Sequence, residues 1–208
     1  SDTHRHIRTR VTNLLAESGQ TYVWATPAPS PVFNSITNNP IHGDERNFLQ
    51  CLDLTAQAHD WSKDVVALDG HTYRCYLYFD NDLTPAYAAM PSPYQGENPL
   101  SQLHNARAKV ILWPQSERVT GIQAVLAADN TNPPKVWDYC NFYGARPFKL
   151  TYVAGSARMF TDGVSKDGVP IEYDSTFTST GALLGDGQDG NLGQHSGYIL
   201  FNVTVKAS

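Results

Sequence analysis

The chain has 208 residues, a length that suits one good-sized domain or one domain with an arm. Charged residues make up 17% and aromatic residues 11%, which excludes a disordered chain, and the net charge of −5 without a basic block argues against a nucleic-acid partner. No apolar run approaches about 18 residues, so we expect no membrane-spanning segment.

Residues 1–26 are predicted to form an N-terminal arm. The first ten residues carry three arginines and one acidic residue. Ile7, Thr9 and Val11 alternate with polar residues as in a strand, whereas Ile7, Val11 and Leu15 fit one face of a helix, and the pattern does not choose between them. The alternating prolines at 27, 29 and 31 then favour a stiff, extended linker, which we interpret as a hinge to the body.

Residues 27–208 are predicted to form an all-β body, an immunoglobulin-like β-sandwich. Short runs of alternating apolar and polar residues, separated by turn residues, are typical of such a fold. The Asp69-Gly70 pair predicts a hairpin between the second and third runs. Outside the arm, only residues 54–60 carry a weak helical pattern. The predicted strands are 47–54, 64–68, 71–79, 106–113, 119–126, 135–139, 148–153 and 198–205.

No catalytic residues are predicted. The seven histidines form no metalloprotease pattern, and Gly155-Ser156 lacks the G-x-S-x-G spacing of a serine nucleophile. Cys140 has no neighbouring histidine in sequence that would lower the pKa of its thiol. We therefore expect a protein that is not an enzyme.

Calcium is the one cofactor that the sequence suggests. Asp186 and Asp189 lie on a glycine-rich loop and offer the hard oxygen ligands that this ion prefers. The segment from Phe79 to Asp82 forms a second acidic turn. Ordinary turns, in which Asp and Asn bond their own backbone, explain both segments at least as well. No metal site is therefore predicted beyond Asp186 and Asp189 as weak calcium candidates.

The three cysteines leave one thiol over if two of them pair. Cys75 lies on the apolar face of its predicted strand, and Cys51 shares the parity of Leu49. If these two strands are neighbours, Cys51 and Cys75 can form a disulfide, with Cys140 left free. Other pairings stay open at this level.

A longer motif gives the chain a resemblance to known proteins. The strings Phe33-Asn34-Ser35-Ile36-Thr37-Asn38-Asn39-Pro40 and Gly43-Asp44-Glu45-Arg46-Asn47-Phe48 resemble those of an uncharacterised family of bacterial extracellular immunoglobulin-like domains. The resemblance covers about residues 32–206 and implies secretion, a sandwich and a role at the cell surface. The three cysteines stand where that family has aliphatic core residues, which implies that all three are buried and that some two of them pair.

The physical interpretation of the motif is structural. Asn38, Asn39 and the following glycine suit a turn, and Asp44, Glu45 and Arg46 can form a local charge-assisted network that holds the loop to the first strand. A site for an outside ligand is the alternative.

These features predict a secreted, non-enzymatic structural protein. We expect it to be a subunit of an extracellular, pilus-like bacterial filament that assembles with copies of itself. The arm residues Ile7, Thr9, Val11 and Leu15 would enter a groove of the next subunit by strand addition, the mode in which backbone hydrogen bonds give affinity. The alternative is a monomeric cell-surface module for adhesion or carbohydrate binding, in which some of the eleven tyrosines form a platform.

Overall fold

The structure is a computed structural model that describes residues 20–83, 102–113, 116–161, 167–185 and 196–208. It confirms the all-β sandwich: the described residues form ten strands and a single short 3₁₀ helix, Glu172–Phe177. None of their helical segments has the length and apolar character needed to cross a membrane. The strands are β1 (Leu49–Asp53), β2 (Asp64–Ala67), β3 (Thr72–Asp80), β4 (Arg107–Leu112), β5 (Glu117–Ala127), β6 (Lys135–Tyr152), β7 (Arg158–Thr161), β8 (Val169–Pro170), β9 (Ala182–Leu183) and β10 (Ser196–Ala207).

The strands form one hydrogen-bonded network that folds over into two layers. One layer runs β1-β3-β10, with β7 and β8 beside β10, and the other runs β2-β6-β5-β4-β9. Strand β6 belongs to both layers, because residues 135–143 pair with β5 and residues 148–152 pair with β10. Apolar residues alternate inward along β3 and β10, and the ring of Tyr73 on β3 meets Phe142 on β6 edge-on at 5.2 Å.

The prediction of two strands at 135–139 and 148–153 is wrong in one respect, because β6 is a single strand of 18 residues. The sequence between them looks like a break, since it contains Gly144 and Pro147. Gly144 lies so close to the Phe148 ring that a Cβ would approach it to 2.6 Å. Glycine therefore permits the close approach at which the strand leaves one layer for the other.

The predicted Asp69-Gly70 hairpin is also wrong. The turn itself forms, with Gly70 at φ 79° and the His71 N–H donating to the Leu68 carbonyl at 3.1 Å. However, β2 pairs with β6 in parallel and β3 pairs with β1 and β10, so the turn carries the chain between layers. Residues 54–60 form turns rather than a helix.

The proline segment is not a free, extended linker: the chain bends at Pro29 and Ser30, and the segment packs against the body. Ala28 is 1% exposed, and its N–H donates to the carbonyl of Asp82 at 3.2 Å. Phe33 forms an antiparallel bridge with Asn81. The segment thereby extends the edge of the sheet beyond the end of β3.

Candidate functional site

Three carboxyl groups meet beneath the loop of residues 33–48, where this loop covers the end of β3. Asp80 ends β3 and Asp82 follows two residues later, so the period of two places both on the outer side of the strand. Glu45 reaches them from the loop, and one carboxylate oxygen from each residue lies within 4.8 Å of the others. Glu45 is 1% exposed and Asp82 is 3% exposed, while Asp80 is partly exposed.

Asn34 fastens the loop to β3. Its Nδ2 donates to the Tyr78 carbonyl at 2.9 Å, and its Oδ1 accepts the Asp80 N–H at 2.8 Å. Asn34 has φ 45°, in the left-handed region that asparagine enters more readily than most residues. The loop then covers the outer face of β3, and His42 stacks on the Tyr78 ring with a centroid distance of 3.9 Å. Tyr78 is therefore buried although its strand position points outward.

Asn39 builds the turn that directs Glu45 inward. Its backbone exchanges hydrogen bonds of 2.8 and 2.7 Å with Gly43, which has φ 68°. The Asn39 Oδ1 accepts the N–H groups of Ile41 and His42 at 2.9 and 3.1 Å. Its Nδ2 donates to Glu45 Oε2 at 2.8 Å. One side chain thus shapes the turn and orients the carboxylate.

Each carboxylate has one oxygen that a protein donor holds. Asp82 Oδ2 accepts the N–H and the hydroxyl of Ser35, the hydroxyl at 3.0 Å, and the N–H of Ile36 at 3.2 Å. Asp80 Oδ2 accepts the Tyr78 hydroxyl at 3.0 Å. In contrast, Glu45 Oε1 and Asp82 Oδ1 are buried and have no hydrogen-bond partner.

Among the described residues, no cationic side chain forms an ion pair with any of these three carboxylates. Burial, followed by the neighbouring carboxylates, raises the pKa of Glu45 to about 10 and the pKa of Asp80 to about 7. Burial also raises the pKa of Asp82. Three converging carboxyl groups, two of them buried, cannot all carry a negative charge unless they share protons or bind a cation.

The structure separates the motif residues into distinct roles. Asn38 Oδ1 accepts the N–H of Trp24 at 2.7 Å. Asp44 and Arg46 form the expected local ion pair, with 2.6 Å between their closest atoms. Glu45 does not join that pair, because it turns into the cluster together with Asn39.

Other predicted residues lie outside the described residues. These are the arm residues Ile7, Thr9, Val11 and Leu15 and the calcium candidates Asp186 and Asp189. Their roles stay predictions.

The disulfide between Cys51 and Cys75 is confirmed. The two residues stand directly opposite each other in the antiparallel β1–β3 pair, with Cα atoms 4.1 Å apart. Cys140 is the free thiol and is fully buried; its Sγ donates to the Ser62 carbonyl at 3.4 Å. Burial raises the pKa of Cys140 to about 12, so this thiol is not an activated nucleophile.

A second buried carboxylate, Asp138, has a cationic partner. Lys63 Nζ donates to Asp138 Oδ2 and, at 3.1 Å, to the carbonyl of Leu49. Asp138 Oδ2 also accepts the Leu49 N–H at 3.0 Å. These hydrogen bonds join β1, β6 and the segment before β2. Because the Asp138 carboxylate is paired with both a cation and backbone N–H groups, we assign it a structural role.

Within the described residues, part of one edge of β4 has no neighbouring strand, although the 3₁₀ helix Glu172–Phe177 lies close to β4. Strand β9 pairs with β4 only at Arg107 and Ala108, and no described strand lies beside β4 from Lys109 to Leu112. The Ala106 carbonyl accepts the N–H of Leu184, which follows β9, so the backbone groups of Ala106 point toward β9. In an antiparallel strand every second residue points its N–H and carbonyl groups to the same side, so those of Val110 and Leu112 point to this side as well.

The edges of β1 and β2 are closed by other groups. Cys51 exchanges backbone hydrogen bonds with Ser62 at 2.9 and 3.0 Å, which covers the centre of β1. The Tyr73 hydroxyl donates to the Val66 carbonyl and accepts the Leu68 N–H, both at 2.8 Å, along the outer side of β2. Compared with the edges of β1 and β2, the part of β4 beyond Ala108 is therefore the longer edge without a described strand beside it.

Comparison of the chain with family models, with curated proteins and with solved structures found no match.

Proposed function

We propose that the chain is a secreted, non-enzymatic structural protein of immunoglobulin-like type that assembles head-to-tail into an extracellular filament. In this proposal the N-terminal arm of one subunit adds a strand to the outer edge of β4 in the next subunit. The open edge from Lys109 to Leu112 is the observation that carries the proposal.

The edge alone would not hold two subunits together. Val110 and Leu112 present four backbone groups, and at about 0.5–1.5 kcal/mol for each net hydrogen bond they contribute about 2–6 kcal/mol. Association costs at least about 4 kcal/mol in lost freedom. Burial of Ile7 and Val11, at about 1.5–3 kcal/mol each, would provide the remaining free energy. The proposal therefore requires both the backbone pairing and the apolar side chains of the arm.

The disulfide supports the extracellular part of the proposal. Structural disulfides persist in oxidising compartments and are rare where thiols are kept reduced. Cys51 and Cys75 are 0% exposed, so their bond belongs to the core instead of a reactive surface.

Sedimentation velocity and negative-stain imaging of the full chain test the proposal. We expect filaments or large oligomers from the full chain and single subunits after deletion of residues 1–20. Ile111→Lys places a charge on the open edge and should reduce assembly, whereas Val66→Lys makes a similar change on the closed β2 edge and should not. Assembly that survives the deletion, or equal effects of the two lysine variants, would contradict strand addition to β4.

A monomeric binding module is the second candidate, and an aromatic row on the outer face favours it. The rings of Trp61, Tyr76, Tyr198 and Phe160 follow one another at centroid distances of 5.4, 5.0 and 4.8 Å. However, Tyr76, Tyr198 and Phe160 stack on each other, so their faces are covered and sheet packing explains them. Trp61, at one end of the row, is 37% exposed, whereas the other three rings are half-buried. A chain that stays monomeric and binds oligosaccharide through Trp61 would favour this candidate.

A further inference from the structure

We propose that Glu45, Asp80 and Asp82 form a site for one Ca²⁺ ion, which fastens the 33–48 loop to the end of β3. This inference is independent of filament assembly, because it concerns a single subunit. It rests on the convergence of the three carboxylates and on two buried oxygens, Glu45 Oε1 and Asp82 Oδ1, to which no described N–H or hydroxyl group outside the cluster donates.

The oxygen positions suit an ion of this size. Ca²⁺ binds carboxylate oxygens at about 2.3–2.6 Å, so two oxygens on one ion are at most about 5 Å apart. The ligand atoms of the three residues all lie within 4.8 Å of one another. Asp80 is the partly exposed member, so water can complete the six to eight ligands from its side.

Neighbouring hydrogen-bond donors hold one oxygen of Asp82 and one oxygen of Glu45, as supporting groups do around the ligands of a metal site. Asp82 Oδ2 is held by Ser35 and Ile36, and Glu45 Oε2 is held by Asn39, which leaves Oδ1 and Oε1 directed away from these donors. Backbone N–H donors favour the ionised form of a carboxylate, and supporting bonds that fix ligands are typical of metal sites. A buried oxygen without a partner is costly, and coordination to a cation removes that cost.

The three residues offer only oxygen ligands, which favours Ca²⁺ over Zn²⁺, and the burial of two of them favours Ca²⁺ over Mg²⁺. Zn²⁺ is held mainly by Cys and His ligands, and the described cluster contains neither. Mg²⁺ requires near-octahedral geometry at about 2.0–2.1 Å and retains several waters, which a site buried at Glu45 and Asp82 accommodates poorly.

Calorimetric titration of the full chain with CaCl₂, after dialysis against EDTA, tests the site. We expect binding of one ion for each chain and a higher melting temperature in Ca²⁺ than in EDTA. Glu45→Gln and Asp82→Asn should each weaken Ca²⁺ binding at least about tenfold, since even supporting groups of metal sites have effects of that size. Asp44→Asn is the matched control, because this carboxylate lies on the same loop but pairs with Arg46, and it should leave Ca²⁺ binding unchanged.

A second control separates the cluster from the calcium candidates of the glycine-rich loop. The double variant Asp186→Asn/Asp189→Asn should keep the affinity of the unmodified chain for Ca²⁺. Absence of binding to the unmodified chain at millimolar Ca²⁺ would overturn the proposal in favour of shared protons. Unchanged binding by Glu45→Gln, or loss of binding by the Asp186/Asp189 double variant, would overturn it as well. Because Glu45→Gln preserves shape and the titration of the unmodified chain needs no variant, misfolding of Asp82→Asn would not prevent the test.

Discussion

Reduction of the Cys51–Cys75 disulfide should lower the free energy of unfolding by about 3.5 kcal/mol. The two cysteines are 24 residues apart in sequence. In the chain-entropy description, a crosslink that closes a loop of that length removes about 12 cal/mol/K from the unfolded chain, or about 3.5 kcal/mol at 25 °C. For a chain of this size, the loss corresponds to a decrease in Tm of about 7–14 °C.

Urea unfolding with and without a phosphine reductant measures this effect. With a slope of about 3 kcal/mol/M, we expect the midpoint to fall by about 1 M. The double variant Cys51→Ala/Cys75→Ala is the control, and reductant should not change its midpoint, because the remaining thiol of Cys140 is buried and unactivated. A shift below about 0.3 M in the unmodified chain would refute the loop-entropy argument, and a shift in the double variant would show that reduction acts elsewhere.

Three further predictions concern buried polar groups. Burial and the neighbouring carboxylates raise the pKa of Asp80 to about 7 and the pKa of Glu45 to about 10, so the folded chain holds more protons than the unfolded chain above about pH 4. In EDTA, stability should therefore fall as the pH rises through this range, and melting curves in Ca²⁺ should show a smaller fall. Lys63→Met leaves Asp138 buried without its cation and should lower the free energy of unfolding, measured in urea, by about 3–5 kcal/mol. The double variant Lys63→Met/Asp138→Asn should lower this free energy by less than the sum of the two single changes. Tyr73→Phe removes the hydroxyl that closes the β2 edge; it should cost about 1–3 kcal/mol, and light scattering should show more self-association than for the unmodified chain.

The alternation of apolar and polar residues predicted most of the strands, because a strand that buries one face requires an apolar residue at every second position. It also allowed the pairing of Cys51 and Cys75, since residues of inward parity on neighbouring strands face each other. The same pattern missed the continuity of β6, where Gly144 and Pro147 look like a break but accompany a strand that changes layers. It also misassigned the partner of β2, because a turn such as Asp69-Gly70 is set locally while strand pairing depends on distant residues.

The carboxylate cluster was only half visible in the sequence. The acidic turn at Phe79–Asp82 and the loop containing Glu45 are both recognisable in the sequence, but local hydrogen bonding and a local ion pair explain each of them separately. Their connection depends on Asn34, whose side chain replaces a neighbouring strand at the end of β3. The sequence does show that Asp80 and Asp82 lie two residues apart at the end of an apolar strand, so their side chains point to the same, outer face. This alternation alone does not predict which loop covers that face.

The raised pKa values of the cluster do not by themselves indicate acid catalysis. A general acid must reach its substrate within hydrogen-bond distance, and its pKa matters only after that condition is met. Glu45 and Asp82 are 1% and 3% exposed, and the 33–48 loop that covers them is bonded to β3 at Asn34 and closed on itself at Asn39. A substrate could touch these two carboxylates only if that loop left the strand. An ion of one atom is far smaller than such a substrate, and Asp80 is the member of the cluster that is partly exposed to solvent. The burial that raises the pKa of these groups therefore favours a bound cation that stabilises the loop over a reaction centre.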